Sequence, residues 1–295
     1  MDADFKDYIT TNRKRIDHAL DHFLPGATAK PATVHKAMRH SLFAGGKRLR
    51  PVLAMAAAEA CGGDPEHALP GACAIECIHT FSLVHDDLPC MDDDDFRRGK
   101  PTCHKIFGEG VAVLAGDALQ ASAFEILTTA RATKQYGVAD YVRELAATSG
   151  SRELIGGQVM DLEGEGQELD HGQLRAIHEK KTAALLTTSV RFGGMSADAT
   201  PRQLDLLTGF GRALGLAFQV IDDILDVTQT TEKLGKTAGK DEAVDKSTYP
   251  AIIGLEPSRK EATRLTQKAI SSLSAFGKKG HRLDQLAHYL LDRDY

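Results

Sequence analysis

An all-α fold, one single-domain bundle of about ten or more helices, is predicted by three observations. No stretch carries sustained β-branched alternation of period two. Apolar residues recur instead at helical spacing between Gly and Pro breaks, as in Phe5, Ile9, Ile16 and Leu20. Two further segments are apolar almost all round, which places them inside a helical protein: Glu76 is the only formal charge between Ala68 and Val84, and Arg212 is the only one between Phe210 and Asp222.

Taken in order, residues 4–22 form a polar-faced helix that Pro25-Gly26 breaks. A second helix over 32–44 ends at Gly45-Gly46, and Pro51 opens an apolar helix from Val52 to Ala60 that stops at Gly62-Gly63. Asp64-Pro65 starts the buried helix that runs to Asp86-Asp87, where Pro89 ends it. Helices follow over 111–131, over 138–162 with an interruption at Gly156-Gly157, and over 173–192 with a stop at Gly193-Gly194. Asp198-Ala-Thr-Pro201 starts the next, which leads into the apolar segment ending near Val227. The polar span 228–248 reads as a functional loop, and Thr248-Tyr249-Pro250 leads into at least two terminal helices. No repeat, low-complexity linker or domain boundary interrupts residues 1–295.

Composition excludes several classes. The chain is 42% hydrophobic and 26% charged, as a globular protein is, and its net charge of −5 argues against nucleic acid as partner. No run of eighteen apolar residues predicts a membrane span, and the acidic start lacks a signal-peptide core, so a cytoplasmic protein is expected. Five cysteines, an odd number, read as free thiols in a reducing compartment.

Chemistry concentrates at two helix ends. Six of the ten residues from Asp86 to Asp95 are aspartates, and an echo, Asp222-Asp223-Ile-Leu-Asp226, lies 136 residues beyond Asp86. The C-terminal end of a helix favours a cation, and carboxylate oxygens suit magnesium. One acidic helix end is commonly a solvated turn. Two buried helices both ending in paired aspartates instead suggest a central cavity that holds magnesium ions and a diphosphate. Cations flank the acids, as such a substrate requires: Lys47, Arg50, Arg97, Arg98, Lys180, Lys181, Lys236, Lys240 and Lys246.

Several stretches resemble the trans-isoprenyl diphosphate synthases, most closely the bacterial farnesyl type. These are Gly45-Gly-Lys-Arg-Leu-Arg-Pro51, His79 with Phe81 to Pro101, Gly156-Gly-Gln158 with Asp161, Lys181-Thr182, Gln219 with the second acidic motif, Leu234-Gly-Lys236, and Lys246 to Pro250. The resemblance implies that Asp86 and Asp92 hold two magnesium ions, supported by Asp87, and that Asp222 holds a third near Asp223 and Asp226. It implies that Arg97, Lys181, Thr182, Gln219 and Lys236, with Lys246, hold an allylic diphosphate (dimethylallyl or geranyl). Lys47, Arg50, His79 and Arg98 would hold isopentenyl diphosphate without metal, and Gln158 and Asp161 would line the reacting centre. The implied chemistry is ionisation to an allylic cation followed by 1'-4 condensation, in a homodimer, with loop 228–248 closing over the site. Catalysis would rest on Asp86, Asp92, Arg97, Lys181, Asp222 and Lys236.

Phe81, five residues before Asp86 and about 7.5 Å down the axis, with small Ser82 beside it, fits the family's fifteen-carbon pattern. On that expectation Phe81→Ala lengthens the product. Geranylgeranyl or geranyl diphosphate synthesis is the alternative. A non-catalytic regulatory subunit is a further one, disfavoured because both acidic motifs and the Lys47/Arg50 pair are intact.

Overall fold

The computed structural model describes residues 3–228 and 247–291. They form helices α1 (Ala3–Phe23), α2 (Ala32–Leu42), α3 (Leu49–Ala60) and α4 (Leu69–Asp86), then α5 (Cys103–Phe107), α6 (Glu109–Leu127), α7 (Val138–Ser149) and α8 (Leu154–Glu163). The chain continues through α9 (His171–His178), a π-helical turn (Glu179–Ala183), α10 (Ala184–Ser196) and α11 (Pro201–Thr228). After the break come α12 (Tyr249–Ile253), α13 (Leu255–Ser271) and α14 (His281–Leu291). The all-α expectation holds, with one addition: a two-residue antiparallel ladder, β1 (Phe96–Arg97) on β2 (Lys100–Pro101), closes the acidic loop.

The predicted all-round apolar helices are indeed interior. In α3 every residue from Pro51 to Ala58 is buried, and in α4 every residue from Gly71 to Ile78. α4 packs chiefly on α6, α3 on α10, and α11 on both α10 and α13. The small residues of α3 let these helices come close. A Cβ placed on Gly193 would lie 2.0 Å from the carbonyl oxygen of Ala54, so α10 and α3 touch backbone to backbone there.

That contact corrects the expected stop at Gly193-Gly194. α10 runs through both glycines to Ser196, because they serve helix approach and not termination. Likewise the break near 156–157 falls earlier, between Ser149 and Leu154, and Gly156-Gly157 lie inside α8. All five cysteines are free thiols, as expected; burial pushes Cys77 up to about 12. Among the described residues two helices, α6 and α11, are long and apolar enough by composition to cross a bilayer, although neither holds an unbroken apolar run of eighteen. α11 spends that surface on the core, with Phe210, Leu214, Val220 and Ile224 all buried.

Candidate active site

Three structural units build the site: the loop after α4, the π turn before α10, and the end of α11. α4 stops at Asp86 because Pro89 lies ahead, and the chain folds straight back: the Asp92 amide donates to the Asp86 carbonyl at 2.8 Å, and the Met91 and Asp93 amides both donate to Leu88. This small loop returns Asp92 to the helix end, so the two predicted ligands sit side by side. Burial raises the Asp86 pKa to about 6; Lys181 and Arg97 oppose the shift, and Asp92 and Asp87 add to it. Asp87 is buried and turned to Arg97, whose Nε and Nη2 lie 2.7 Å and 2.6 Å from its Oδ1. Arg97 also reaches Asp94 at 3.3 Å. The supporting part expected for Asp87 is thus to hold Arg97 at the rim.

Lys181 and Thr182 occupy the π turn, a local widening common at functional sites. Gly157 admits it: a Cβ there would stand 2.4 Å from the Lys181 amide nitrogen. Lys181 Nζ donates to Asp161 Oδ2 at 2.6 Å and is close enough to Asp86 to influence its titration. Lys180 points elsewhere, donating to the Arg152 carbonyl at 2.6 Å. Thr182 Oγ1 donates to Gln219 Oε1 at 2.9 Å, and Gln219 Nε2 donates to Asp223 Oδ1 at 3.1 Å. Asp223 Oδ2 accepts the Tyr249 amide at 3.0 Å, beneath a His178 ring stacked on Tyr249. A continuous hydrogen-bonded line therefore runs from the π turn to α11 and on to α12.

This arrangement refines the expectation for the second motif. Asp223 and Asp226 are buried, each 4% exposed, while Asp222 is only half-buried. Gln219 faces Asp223, one turn on, and not Asp222. Asp223 is therefore tied to Gln219 and to the start of α12, and Asp222 is the more exposed carboxylate of the pair. Lys181 lies near enough to Asp86 to act on its charge, and its neighbour Thr182 bonds Gln219 of α11, so the π turn links the surroundings of the two acidic helix ends.

The predicted second pocket assembles in part. Arg50 Nη1 lies 3.3 Å from His79 Nε2. Burial first, then the charges of Arg50 and Arg98, hold His79 well below the usual imidazole range, so it is neutral. Arg98 donates to the Gly45 carbonyl, and its guanidinium lies so close to Gly46 that a Cβ there would be 2.6 Å from Nη1. Gly46, at φ 130°, has a backbone that only glycine adopts comfortably. Lys47 stands apart, with Nζ over the Tyr289 ring at 5.6 Å. Lys236 and Lys246, with loop 228–248 over 229–246, lie outside the described residues. Sequence reasoning gave no role to His178, Tyr249 or Arg48, although Arg48 and Tyr249 both lie inside stretches it singled out, Gly45–Pro51 and Lys246–Pro250.

The donor set at the helix ends fits magnesium. It is made of carboxylate oxygens, and one of them, Asp86, is raised toward neutrality by burial in a way a bound cation would reverse. The described residues also group Asp93, Asp95 and His104, with one ligand atom from each within 4.8 Å of the others, although Lys105 Nζ already sits 2.6 Å from Asp95 Oδ1.

Comparison with known proteins agrees with this geometry. The profile of the family described as Polyprenyl synthetase matches residues 31–284. The chain is 50% identical over 297 residues, 98% of this chain and 80% of the relative, to an Arabidopsis thaliana chloroplastic protein named heterodimeric geranylgeranyl pyrophosphate synthase large subunit 1. It is 36% identical to a Zymomonas mobilis FPP/GFPP synthase of known structure, with TM-score 0.85 over 99% of this chain and 100% of that one. It is 33% identical to a Helicobacter pylori geranyltransferase solved with magnesium and isoprenyl diphosphate, with TM-score 0.85 over 99% of this chain and 98% of the other. Two acidic helix ends around one cationic turn, in this all-α frame and with these likenesses, place the chain in the polyprenyl synthetase family, whose members are prenyltransferases.

Proposed function

We propose that this prenyltransferase joins isopentenyl diphosphate to an allylic diphosphate and extends the chain to twenty carbons. What supports the condensation is the presence of two unlike groups of anion-binding side chains. The first lies at Asp86, Asp92 and Asp222 beside Arg97, Lys181, Thr182 and Gln219. The second is the metal-free group of Arg50, His79 and Arg98, from which Lys47 stands apart. Magnesium, about three ions on the family pattern, supplies charge stabilisation on the leaving diphosphate. The chain's own residues do the rest. Arg97 and Lys181 bring cations to the same oxygens, and the Thr182–Gln219–Asp223 line holds the hydroxyl and amide that orient them. Neutral His79 offers no charge of its own, so Arg50 and Arg98 bind the second diphosphate and its double bond is left facing the cation. The proton given up at the end goes to the released diphosphate.

The twenty-carbon product is supported from two sides. The Arabidopsis relative, half identical, carries the geranylgeranyl name. The residue one turn below Asp86 on its own face is small Ser82, which leaves a tail room, while Phe81 is turned about 140° away. Its ring is held edge-on against His85 at 5.2 Å, and His85 in turn lies 3.0 Å from the Val113 carbonyl of α6. The fifteen-carbon reading is favoured by Phe81, buried in the apolar wall at 6% exposure, and by the FPP/GFPP name of the Zymomonas mobilis structure. Incubation with both five-carbon diphosphates and magnesium is expected to yield a C20 product from the native chain and from Phe81→Ala alike. A native C15 product that Phe81→Ala lengthens would overturn this in favour of the second reading.

The active form is proposed to be a homodimer of one catalytic domain per chain. α6 exposes Val113 and Leu114, the latter 60% exposed, and α8 exposes Ile155 and Val159. Large apolar side chains left exposed on surface helices mark an association face. Leu114→Glu is expected to shift the mass measured by light scattering from dimer toward monomer; an unchanged mass refutes this face.

A further inference from the structure

Between α2 and α3, three of the four residues 45–48 take positive φ: Gly45 at 108°, Gly46 at 130° and Arg48 at 50°. Glycine is the natural occupant of such backbone, yet the last position holds an arginine. Its side chain is 2% exposed and is used on three elements at once. Nε donates to Asp17 of α1 at 2.8 Å, Nη1 to Glu76 of α4 at 2.8 Å, and Nη2 to the Leu42 carbonyl at the end of α2 at 2.7 Å. Glu76 is itself 2% exposed, so this is a buried ion pair inside an otherwise apolar helix face. Such a pair adds little stability over apolar residues of the same volume; what it supplies is one fixed arrangement.

The arrangement it fixes is specific. Glu76 and His79 are three apart on α4 and share a face; Arg48 ends the strained turn, and Arg50 follows two residues on in the first turn of α3. Clamping Arg48 to Glu76 therefore registers the turn on α4 so that Arg50 Nη1 arrives 3.3 Å from His79 Nε2. The same clamp holds Gly45-Gly46 where the Arg98 guanidinium packs on their backbone. Enclosed by its three partners, Arg48 is not placed to touch a substrate.

We propose that Arg48, through its three-way clamp on Asp17, Glu76 and the end of α2, is the positioning residue that sets the recognition site for the diphosphate of isopentenyl diphosphate. The inference rests on the reading of Arg50, His79 and Arg98 as that site. Lysine at this position keeps the charge and loses the fork, which needs three donors in fixed directions.

Steady-state kinetics with each substrate varied in turn test the proposal, alongside thermal unfolding. Arg48→Lys is expected to raise KM for isopentenyl diphosphate at least tenfold, with the allylic KM and kcat changed less than twofold. The double variant Arg48→Met/Glu76→Met removes both buried charges at similar volume, and Asp17, a third exposed and 3.8 Å from Arg13, keeps a partner. Its Tm is expected to return near that of the native chain while the raised KM persists. Recovery of KM together with Tm, or a parallel rise in both KM values, makes Arg48 a merely structural residue and overturns the proposal. Arg50→Gln separates the underlying reading: if it leaves KM for isopentenyl diphosphate unchanged, the assignment of the pocket fails, and the proposal falls with it.

Discussion

Asp86→Ala is expected to lower kcat by about three orders of magnitude with the fold preserved. The loop that returns Asp92 to the helix end is held by the Asp86 carbonyl, not by its side chain, so alanine keeps the turn. What alanine removes is a carboxylate whose pKa is raised to about 6 mainly by burial. The sign of the linkage follows. An acid whose folded pKa lies above its unfolded value of 3.8 destabilises the folded chain once it ionises, so metal-free native protein is expected to lose stability as pH rises from about 3.8 through about 6. Magnesium should restore that loss at neutral pH, and Asp86→Ala should abolish both effects. Metal affinity should weaken as pH falls through about 6, where the proton competes for the carboxylate. Rate assays, thermal melts with and without magnesium, and circular dichroism check all of this. A rate within tenfold of the native value would remove Asp86 from the metal site.

Much of the frame was legible because apolar periodicity and helix breakers act locally. α4 could be read from an uninterrupted apolar run, a proline after its end and a cluster of acids that nothing else explains. Its partner α11 was legible for the same reason. Glycine was harder, because one residue type serves two purposes. Gly45-Gly46 does turn the chain, whereas Gly193 sits in mid-helix to let α3 approach, and only the neighbouring helix distinguishes the two. The roles within each acidic motif were also hidden. Asp222 and Asp223 are adjacent and identical in type, but they point a helical step apart, one half-buried and one bonded to Gln219 and to the Tyr249 amide. No local pattern encodes that an amide 26 residues onward will claim the second carboxylate. The π turn at Glu179–Ala183 escaped notice similarly, since the extra residue it absorbs shows only as a slip in helical register.

Lys181→Ala is expected to be the second most damaging change, lowering kcat/KM for the allylic diphosphate by about 10²–10³-fold while KM for isopentenyl diphosphate stays within about twofold. Before substrate binds, the ammonium lies 2.6 Å from Asp161 Oδ2, and both side chains are largely sheltered, at 23% and 10% exposure. A diphosphate entering beside Asp86 competes with Asp161 for the same cation, and the doubly charged ligand wins because it brings more charge to the contact. Lys181 is thus held ready rather than left to fluctuate in solvent, which reduces the ordering needed at the moment of ionisation. The same geometry predicts an opposite effect at the partner: Asp161→Asn relaxes the competition, so inorganic diphosphate should bind several-fold more tightly in the absence of metal. Lys181→Arg should recover only part of the loss, because a planar fork replaces a compact point charge. Calorimetric titration with diphosphate and single-substrate kinetics read these outcomes separately. Equal losses for both substrates, or weaker diphosphate binding in Asp161→Asn, would mean that the pair holds α8 to the turn and that the leaving group draws its charge from elsewhere.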